Sequence, residues 1–261
     1  MYSINDIKVE LINPEEVKNF IKNHGIFACQ CYMTPEKFAE RVGMSCLNEG
    51  HTSGSRADML KFRIKCPRYC ADQIMRHSVG TAINCQSQRY VDMDENFSIF
   101  VPAQVMNDND LHDAYLDYED SCRKQYQELR GMMNERGITG EQANDLMRTM
   151  LPIGVECNLT MGFTIEALIH FMHKRLCVRA DAPIRKVAQL MKEVVLAVEP
   201  RYKELLVPQC QADMYCPEKH GCGAYPSKEE VQRLIKIGKE CCKNKEELLT
   251  PLGMPIDLNK K

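Results

Sequence analysis

Four arginines stand at positions where helices are predicted to begin or end: Arg76, Arg89, Arg148 and Arg175. A guanidinium group binds a phosphate, or the carbonyl edge of a pyrimidine, through two parallel hydrogen bonds. Four such groups gathered in one place would suit a nucleotide monophosphate. Spacing alone does not bring them together, and arginines in solvated surface ion pairs are the alternative.

The stretch from Met75 to Val91, MRHSVGTAINCQSQRYV, is rich in directional donors and acceptors and holds few large apolar residues. This composition suits neither a protein core nor an ordinary exposed loop, so it favours a segment that holds a ligand. The 261-residue chain has a formal net charge of -2, which provides no overall electrostatic attraction to nucleic acid. Any recognition of an anion must therefore be local.

The elements that must position these residues are read from hydrophobic periodicity and from capping signals. Alternation of Leu60, Phe62, Ile64 and Cys66 with charged residues predicts a strand with one solvated face. Pro67 ends the strand and begins a helix whose face is expected to carry Gln73, Arg76 and His77. Further helices are predicted over residues 14–24, 35–46, 110–136, 139–152, 164–176 and 183–199 and from Ser227 onward, with a strand-like run over 97–105.

These elements predict an α+β fold, with helices packed around a small antiparallel sheet. We expect residues 1–261 to form a single domain, with residues 208–261 as a cysteine-rich helical C-terminal extension. The N-terminal residues lack the pattern of a signal peptide, and no apolar run has the length of a membrane span, which predicts a cytoplasmic protein.

The 14 cysteines are expected to be reduced, and most of them to serve as small buried hydrophobic residues. In the extension, four soft ligands lie close together in sequence: Cys210, Cys216, His220 and Cys222. Their spacing is not that of a standard zinc knuckle, so no metal is predicted and zinc remains the alternative.

Several ordered motifs resemble the central signature of the flavin-dependent thymidylate synthases. They are Gly50-His51-Thr52-Ser53, a strand, Gln73-x-x-Arg76-His77, Asn84-x-x-Ser87-x-Arg89-Tyr90, Arg148-x-x-Leu151-Pro152 and the helical segment from Ile165 to Ala188. Together they cover most of the chain from Cys29 to about Ala197. Several blocks in the family's order, at matching separations, are more specific than any one block.

The resemblance implies a twisted sheet surrounded by helices, assembled as a homotetramer whose nucleotide and flavin sites are built from more than one subunit. It also implies the reaction, in which dUMP and methylenetetrahydrofolate give dTMP while FAD passes a hydride from NADPH. The expected partners are therefore these small molecules and further copies of the chain, with neither nucleic acid nor membrane.

Residue roles follow from the resemblance by position. Arg175 is the candidate catalytic residue, because a guanidinium beside the pyrimidine carbonyl and N3 stabilises the negative charge that makes C5 nucleophilic. The implied nucleotide-binding residues are Gln73, Arg76, Cys85, Gln86, Ser87, Gln88, Arg89, Arg148 and Arg175. The implied flavin-binding or folate-binding residues are Ser53, Arg76, His77, Ser78, Thr164, Glu166 and His170.

The chain departs from the family pattern at a few positions. Ser78 replaces the second arginine of Arg-His-Arg, and eight residues instead of seven separate it from Ser87. Cys85 stands where Glu is frequent in the family. It is interpreted as a packing or lining residue, and not as a nucleophile that attacks the pyrimidine. Glu166 stands where many members carry Arg, and Arg56 where some carry Glu, which is consistent with a paired exchange of charge.

These departures leave two alternatives open. One is a related flavin-dependent and folate-dependent enzyme that modifies C5 of another pyrimidine nucleotide, for example a hydroxymethylase. The other is a nucleotide-binding homologue that has lost catalysis.

Overall fold

The structure, a computed structural model, describes residues 2–94 and 97–243, with the backbone alone described for 240–243. An antiparallel sheet lies in the first of the two compact units of the chain, Met1–Pro208. Its strands are β1 Lys8–Leu11, β2 Leu60–Pro67, β3 Thr81–Cys85 and β4 Glu156–Phe163. Within the described residues they are ordered β1-β2-β4-β3. The predicted α+β class is therefore confirmed.

Helices supply most of the remaining ordered structure. They are α1 Pro14–Val17, α2 Phe20–Tyr32, α3 Ala39–Asn48, α4 Arg68–Met75, α5 Ala103–Met106, α6 Asn109–Glu135, α7 Gly140–Met147, α8 Ile165–Arg175, α9 Ala182–Leu196, α10 Gln209–Asp213 and α11 Lys228–Lys243. Short 3-10 turns occur at Ile4–Asp6, Glu36–Phe38, Ser53–Ala57, Arg148–Met150 and Pro200–Glu204.

The alternating pattern in β2 places its apolar side chains in the core, as the sequence predicts. Leu60, Phe62, Ile64 and Cys66 are fully buried, while Lys61 and Arg63 are exposed. The facing strand β4 buries Leu159, Met161 and Phe163 in the same cluster, against which α8 and α9 pack. Because a strand's side chains alternate between faces, this burial fixes the register of the two central strands.

The helix predicted over residues 14–24 is wrong in its bounds, because α1 ends at Val17 and α2 continues to Tyr32. Gly25 directly follows the predicted helix but lies inside α2, at its crossing with α3. A Cβ on Gly25 would lie 1.7 Å from the Ala39 carbonyl oxygen, and one on Gly43 would lie 2.1 Å from the Ile21 carbonyl oxygen. Glycine is therefore required here for close packing of two helices.

The expected helix face of Gln73, Arg76 and His77 is also wrong. The helix α4 ends at Met75, Arg76 is its C-terminal capping residue, and the His77 amide donates to the Ile74 carbonyl at 3.0 Å. His77 therefore begins the turn that leads into β3. The helix predicted over 139–152 likewise ends at Met147 and continues as the 3-10 turn Arg148–Met150.

The strand-like run predicted over residues 97–105 is only partly extended. Ile99 and Phe100 form isolated bridges to Val155 and Tyr2, respectively. From Ala103 the run becomes the short helix α5. Phe97 and Ile99 pack with Tyr126 of α6 in a second, smaller hydrophobic cluster.

The chain divides into two compact units, Met1–Pro208 and Gln209–Lys261. In the second unit the predicted capping box is present, since the Ser227 amide donates to Glu230 Oε2 at 2.6 Å and the Glu230 amide donates to Ser227 Oγ at 3.2 Å. Among the residues that the structure describes, no group of three or more His, Cys, Asp or Glu side chains is placed to hold a metal ion.

Within the same residues, no helix is both long enough and apolar enough to cross a bilayer.

Candidate functional site

A cavity of about 960 Å³ opens where the turn after α4 meets the first turn of α8. It is lined by Arg56, Met59, Arg76, His77, Ser78, Val79, Gly80, Thr81, Thr164, Glu166, Ala167, His170 and Arg175. Six of the seven predicted cofactor-binding residues are in this lining, and Ser53 is the exception. Ser53 instead begins the 3-10 turn that carries Arg56.

The wall of the cavity is held by contacts between Gly80 and the N-terminal cap of α8. Thr164 is buried, its hydroxyl accepts from the Ala167 amide at 3.2 Å, and its own amide donates to the Gly80 carbonyl at 2.9 Å. Gly80 has φ +71°, and a Cβ there would lie 2.8 Å from Thr164 Oγ1. A larger residue is therefore excluded at position 80.

Arg175 and His77, which both line the cavity, form a direct hydrogen bond. Arg175 Nε donates to His77 Nε2 at 3.0 Å, and the His77 ring packs edge-on against Phe171 at 4.9 Å between centroids. Burial, followed by the charge of Arg175 and by His170, lowers the pKa of His77 to about 4. His77 is therefore neutral at pH 7, and its Nε2 can accept from the guanidinium.

Arg175 is partly buried beside a second cation. Burial lowers the pKa of Arg175 from its ordinary value, and the nearby charge of Arg76 acts in the same direction. An arginine has an ordinary pKa above about 12, so the group stays cationic at neutral pH. Two guanidinium groups that share a poorly solvated region favour an anionic ligand, because the ligand relieves their mutual repulsion.

A second cavity of about 550 Å³ borders the first. It is lined by Tyr69, Asp72, Gln73, Arg76, Ile153, Arg175, Arg179, Ala180 and Asp181. Arg76 and Arg175 line both cavities, so they stand at the boundary between the two. Of the predicted nucleotide-binding residues, Gln73, Arg76 and Arg175 are brought together here.

The other two predicted arginines form a separate group. Arg89 pairs with Glu141 at 2.6 Å between Nη2 and Oε1, and Arg148 pairs with Asp145 at 3.0 Å between Nη2 and Oδ1. Arg89 Nε also lies 4.0 Å from Asp145 Oδ1, so the two arginines share one carboxylate. Each side chain is 50% exposed, and neither lines the two cavities. Within one chain the four arginines therefore form two groups of two.

The segment from Cys85 to Gln88 is fixed to β4 at its first residues. The Gln86 amide donates to the Asn158 carbonyl at 2.8 Å, and Gln86 Oε1 accepts from Asn158 Nδ2 at 2.8 Å. Ser87 Oγ accepts from the Arg89 amide at 3.3 Å, and the partly buried Gln88 lies between them. The side-chain amide oxygen of Gln86 thus stabilises the fold, while Ser87 shapes the turn that carries Arg89.

Arg56 and Glu166, which both line the larger cavity, form an ion pair. Arg56 Nε donates to Glu166 Oε2 at 2.7 Å, and Arg56 Nη2 donates to Glu166 Oε1 at 3.2 Å. The Arg56 hydrogen bonds lower the pKa of Glu166. The two positions at which the sequence departs from the family in charge are therefore partners in one bidentate ion pair.

Several lining residues were missed by reasoning from the sequence. Apolar lining residues such as Met59, Val79 and Ala167 carry no chemical signal of their own. Gly80 does carry one, since a glycine within a polar turn before a strand is typical of a positive φ. Asp181 follows α8 and could have been found only by knowing that the loop after α8 returns to α4.

The fold and these cavities define an α+β protein with an arginine-lined cleft. The family of thymidylate synthase complementing proteins, Thy1, matches residues 19–201. A flavin-dependent thymidylate synthase of Nitratidesulfovibrio vulgaris is 28% identical over 190 residues, covering 72% of this chain and 77% of that protein. One from Pyrococcus horikoshii is 33% identical over 187 residues, covering 66% and 71%.

The crystal structure of the UMP/dUMP methylase PolB from Streptomyces cacaoi, bound with 5-Br dUMP, has a similar fold. The TM-score is 0.60 at 16% sequence identity, covering 78% of this chain and 96% of that one. The chain belongs to the Thy1 family, whose similar members named above are flavin-dependent thymidylate synthases. The resemblance stated from the sequence motifs is thereby confirmed.

Proposed function

We propose that this protein is a flavin-dependent thymidylate synthase that converts dUMP to dTMP, with methylenetetrahydrofolate as carbon donor and NADPH as reductant. The observation that carries the proposal is the pair of guanidinium groups, Arg76 and Arg175, at the boundary of two cavities in a Thy1-family chain. Membership of the family and the names of its similar members support the reaction.

The larger cavity fits a flavin in size and in the chemistry of its lining. Its volume lies within the range of about 300–1,000 Å³ that is usual for ligand clefts. The amides at the N-terminus of α8 and the guanidinium of Arg56 suit a diphosphate. The negative charge of Glu166 would repel a diphosphate, but the ion pair with Arg56 neutralises that charge. When bound, FAD would supply the hydride-transfer chemistry of the reaction.

Arg175 is proposed as the residue that activates the nucleotide. Its Nε is bonded to neutral His77, so the plane of the guanidinium is fixed before the substrate arrives. Placed beside the pyrimidine carbonyl, the positive charge stabilises the negative charge that develops on the ring as C5 attacks. His77 keeps its proton on Nδ1 and accepts at Nε2, which holds the charge on Arg175 and not on the imidazole.

The remaining substrate contacts are proposed from the two cavities and the second arginine group. Gln73 and Arg76 would bind the nucleotide in the smaller cavity, while Ser78, Thr164 and His170 would face the flavin or folate in the larger one. Arg89, Arg148 and the Cys85–Gln88 segment would bind the phosphate of a nucleotide held by another subunit, which requires the homotetramer.

We also propose that the protein works in the cytoplasm. The buried Cys29, Cys46 and Cys70 are free thiols, as expected of a protein in a reducing compartment.

The decisive experiment is an anaerobic assay with dUMP, methylenetetrahydrofolate and NADPH, followed by mass spectrometry of the nucleotide product. The purified protein is expected to be yellow, to consume NADPH only when all substrates are present, and to form dTMP. A parallel assay with UMP tests whether the enzyme accepts ribose in place of deoxyribose. A flavin-loaded sample that forms no dTMP would refute the proposal, and a hydroxymethylated product would favour the related C5-modifying enzyme.

A further inference from the structure

Three thiols lie next to one another on one face of the sheet. Cys66 of β2 is the direct cross-strand partner of Cys157 of β4, and Cys85, at the end of β3, lies diagonally from Cys157 because its own partner is Leu159. The Sγ atoms of Cys85 and Cys157 are 3.4 Å apart. Cys157 is buried and Cys85 is only partly buried, so this pair reaches from the core to the surface.

A cation lies against the pair. Arg68 is the first residue of α4, and its Nη1 is 3.4 Å from Cys85 Sγ and 4.0 Å from Cys157 Sγ. The hydrogen bond from Cys157, together with the charge of Arg68, lowers the pKa of Cys85. The same hydrogen bond and burial raise the pKa of Cys157. When the pair loses a proton, the remaining proton therefore stays on Cys157 and the negative charge develops on Cys85.

A second pair of thiols nearby lacks these features. Cys66 and Cys70 are both fully buried, and their mutual hydrogen bond and burial raise the pKa of Cys66. A thiol reacts with an oxidant as the thiolate and only where the oxidant can reach it. Cys85 meets both conditions, whereas Cys66 meets neither and Cys70 is out of reach because it is fully buried.

From this geometry we infer that Cys85 and Cys157 form a peroxide-reactive dithiol, in which Cys85 attacks the oxidant and Cys157 completes a disulfide. The Cys85 sulfur attacks one oxygen of hydrogen peroxide, the O–O bond breaks, and a sulfenic acid and hydroxide are formed. The Cys157 sulfur then forms the S–S bond, its proton leaves, and the sulfenic hydroxyl departs as water. In total, two thiols lose two electrons and two protons, and one peroxide becomes two waters.

Forming the bond would move the start of the Cys85–Gln88 segment. The sulfurs must approach from 3.4 Å to about 2.05 Å, and the thiolate that faces Arg68 disappears. Gln86 and Ser87 directly follow Cys85, so the turn that carries Arg89 would shift with it. The effect on nucleotide binding rests on the proposed function, whereas formation of the disulfide does not.

The first test is a peptide map of the full-length wild-type protein. The reduced protein is treated with stoichiometric hydrogen peroxide, its free thiols are alkylated under denaturing conditions, and the non-reduced digest is analysed by mass spectrometry. We expect a peptide that joins Cys85 to Cys157 as the main cross-link, with Cys66 and Cys70 recovered as alkylated thiols. Cys85 and Cys157 recovered as thiols while the exposed Cys31 is oxidised would overturn the inference.

Variants separate the two roles. Cys157→Ser should abolish the cross-link and leave Cys85 as a sulfenic acid that dimedone traps, whereas the matched control Cys122→Ser should keep the cross-link. Arg68→Gln should slow alkylation of Cys85 by iodoacetamide about tenfold at neutral pH, because less thiolate is present. The control Arg63→Gln removes an exposed arginine from β2 and should leave the rate unchanged. If Arg68→Gln is alkylated at Cys85 as fast as the wild type, Arg68 does not promote the Cys85 thiolate.

The consequence for the nucleotide is measured separately. The dissociation constant for dUMP should rise about tenfold in the oxidised protein and return to its original value after treatment with dithiothreitol. If the cross-linked protein binds dUMP with unchanged affinity, the reactive dithiol stands but does not control nucleotide binding. If neither form binds dUMP, the proposed function fails, while the peptide map still decides on the dithiol.

Discussion

Arg175 and His77 constrain each other in a way that suits a charge-stabilising residue. A neutral imidazole accepts from Nε at 3.0 Å, and its ring is held by Phe171, so the guanidinium is oriented by a rigid neighbour. Because the pKa of His77 is lowered to about 4, this orientation persists across the physiological pH range. Charge stabilisation of this kind lowers the barrier most when the group needs no reorganisation during the reaction.

Replacing Arg175 tests this role at the scale of one residue. Arg175→Ala should reduce kcat by about 100-fold to 1,000-fold, while the flavin remains bound, because the charge matters most as the pyrimidine ring ionises. The measurement is steady-state turnover, together with the flavin absorbance of the purified variant. Arg63→Ala, which removes an exposed arginine outside the cavities, is the control. Near-normal turnover of Arg175→Ala would show that the residue is misassigned.

At the scale of elements, the site depends on the junction between the turn after α4 and the first turn of α8. Gly80 and Thr164 fix this junction, and the Arg56–Glu166 ion pair links α8 to the 3-10 turn Ser53–Ala57. The side chains of Arg56 and Glu166 are 64% and 42% exposed, so this solvated ion pair contributes little to stability. We therefore interpret the pair as setting the charge of the cavity lining.

Opposite effects on flavin affinity are expected from the two halves of this pair. Glu166→Gln removes a negative charge near the expected position of the diphosphate and should lower the dissociation constant for FAD about threefold. Arg56→Gln leaves Glu166 without its partner and should raise that constant about tenfold. Fluorescence titration of the apoprotein with FAD measures both constants, with Arg63→Gln as the control. Changes of the same sign in both variants would contradict this interpretation.

The elements differ in how far the sequence could predict them. Strand β2 and helices α6 and α9 were predicted within a few residues, because each carries its own pattern of burial. The end of α2 was not, since Gly25 is required by a contact with α3 that no local pattern reveals. The same difference applies to the site residues. Arg175 could be found from a sequence motif, whereas Asp181 lies at the site only because the chain after α8 returns to α4.

At the scale of the whole molecule, the division of the arginines is the main feature to explain. Arg76 and Arg175 line the cavities, whereas Arg89 and Arg148 pair with Glu141 and Asp145 elsewhere on the same chain. A phosphate can displace a carboxylate from a half-exposed arginine, because an exposed ion pair holds its partners weakly. The second group would then complete the site of a neighbouring copy in the proposed tetramer.

Mixing two defective variants tests whether the sites are shared. One variant is Arg175→Ala, and the other is the double variant Arg89→Ala and Arg148→Ala, assayed at low dUMP. In an equal mixture, each arginine group is intact in half of the subunits. If each site takes one group from each of two subunits, random co-assembly should make about a quarter of the sites complete and give about a quarter of the wild-type activity. Denatured and refolded mixtures should therefore exceed the sum of the separate variants. Activity equal to that sum would mean that each chain forms its site alone, and that Arg89 and Arg148 have no part in a neighbour's site.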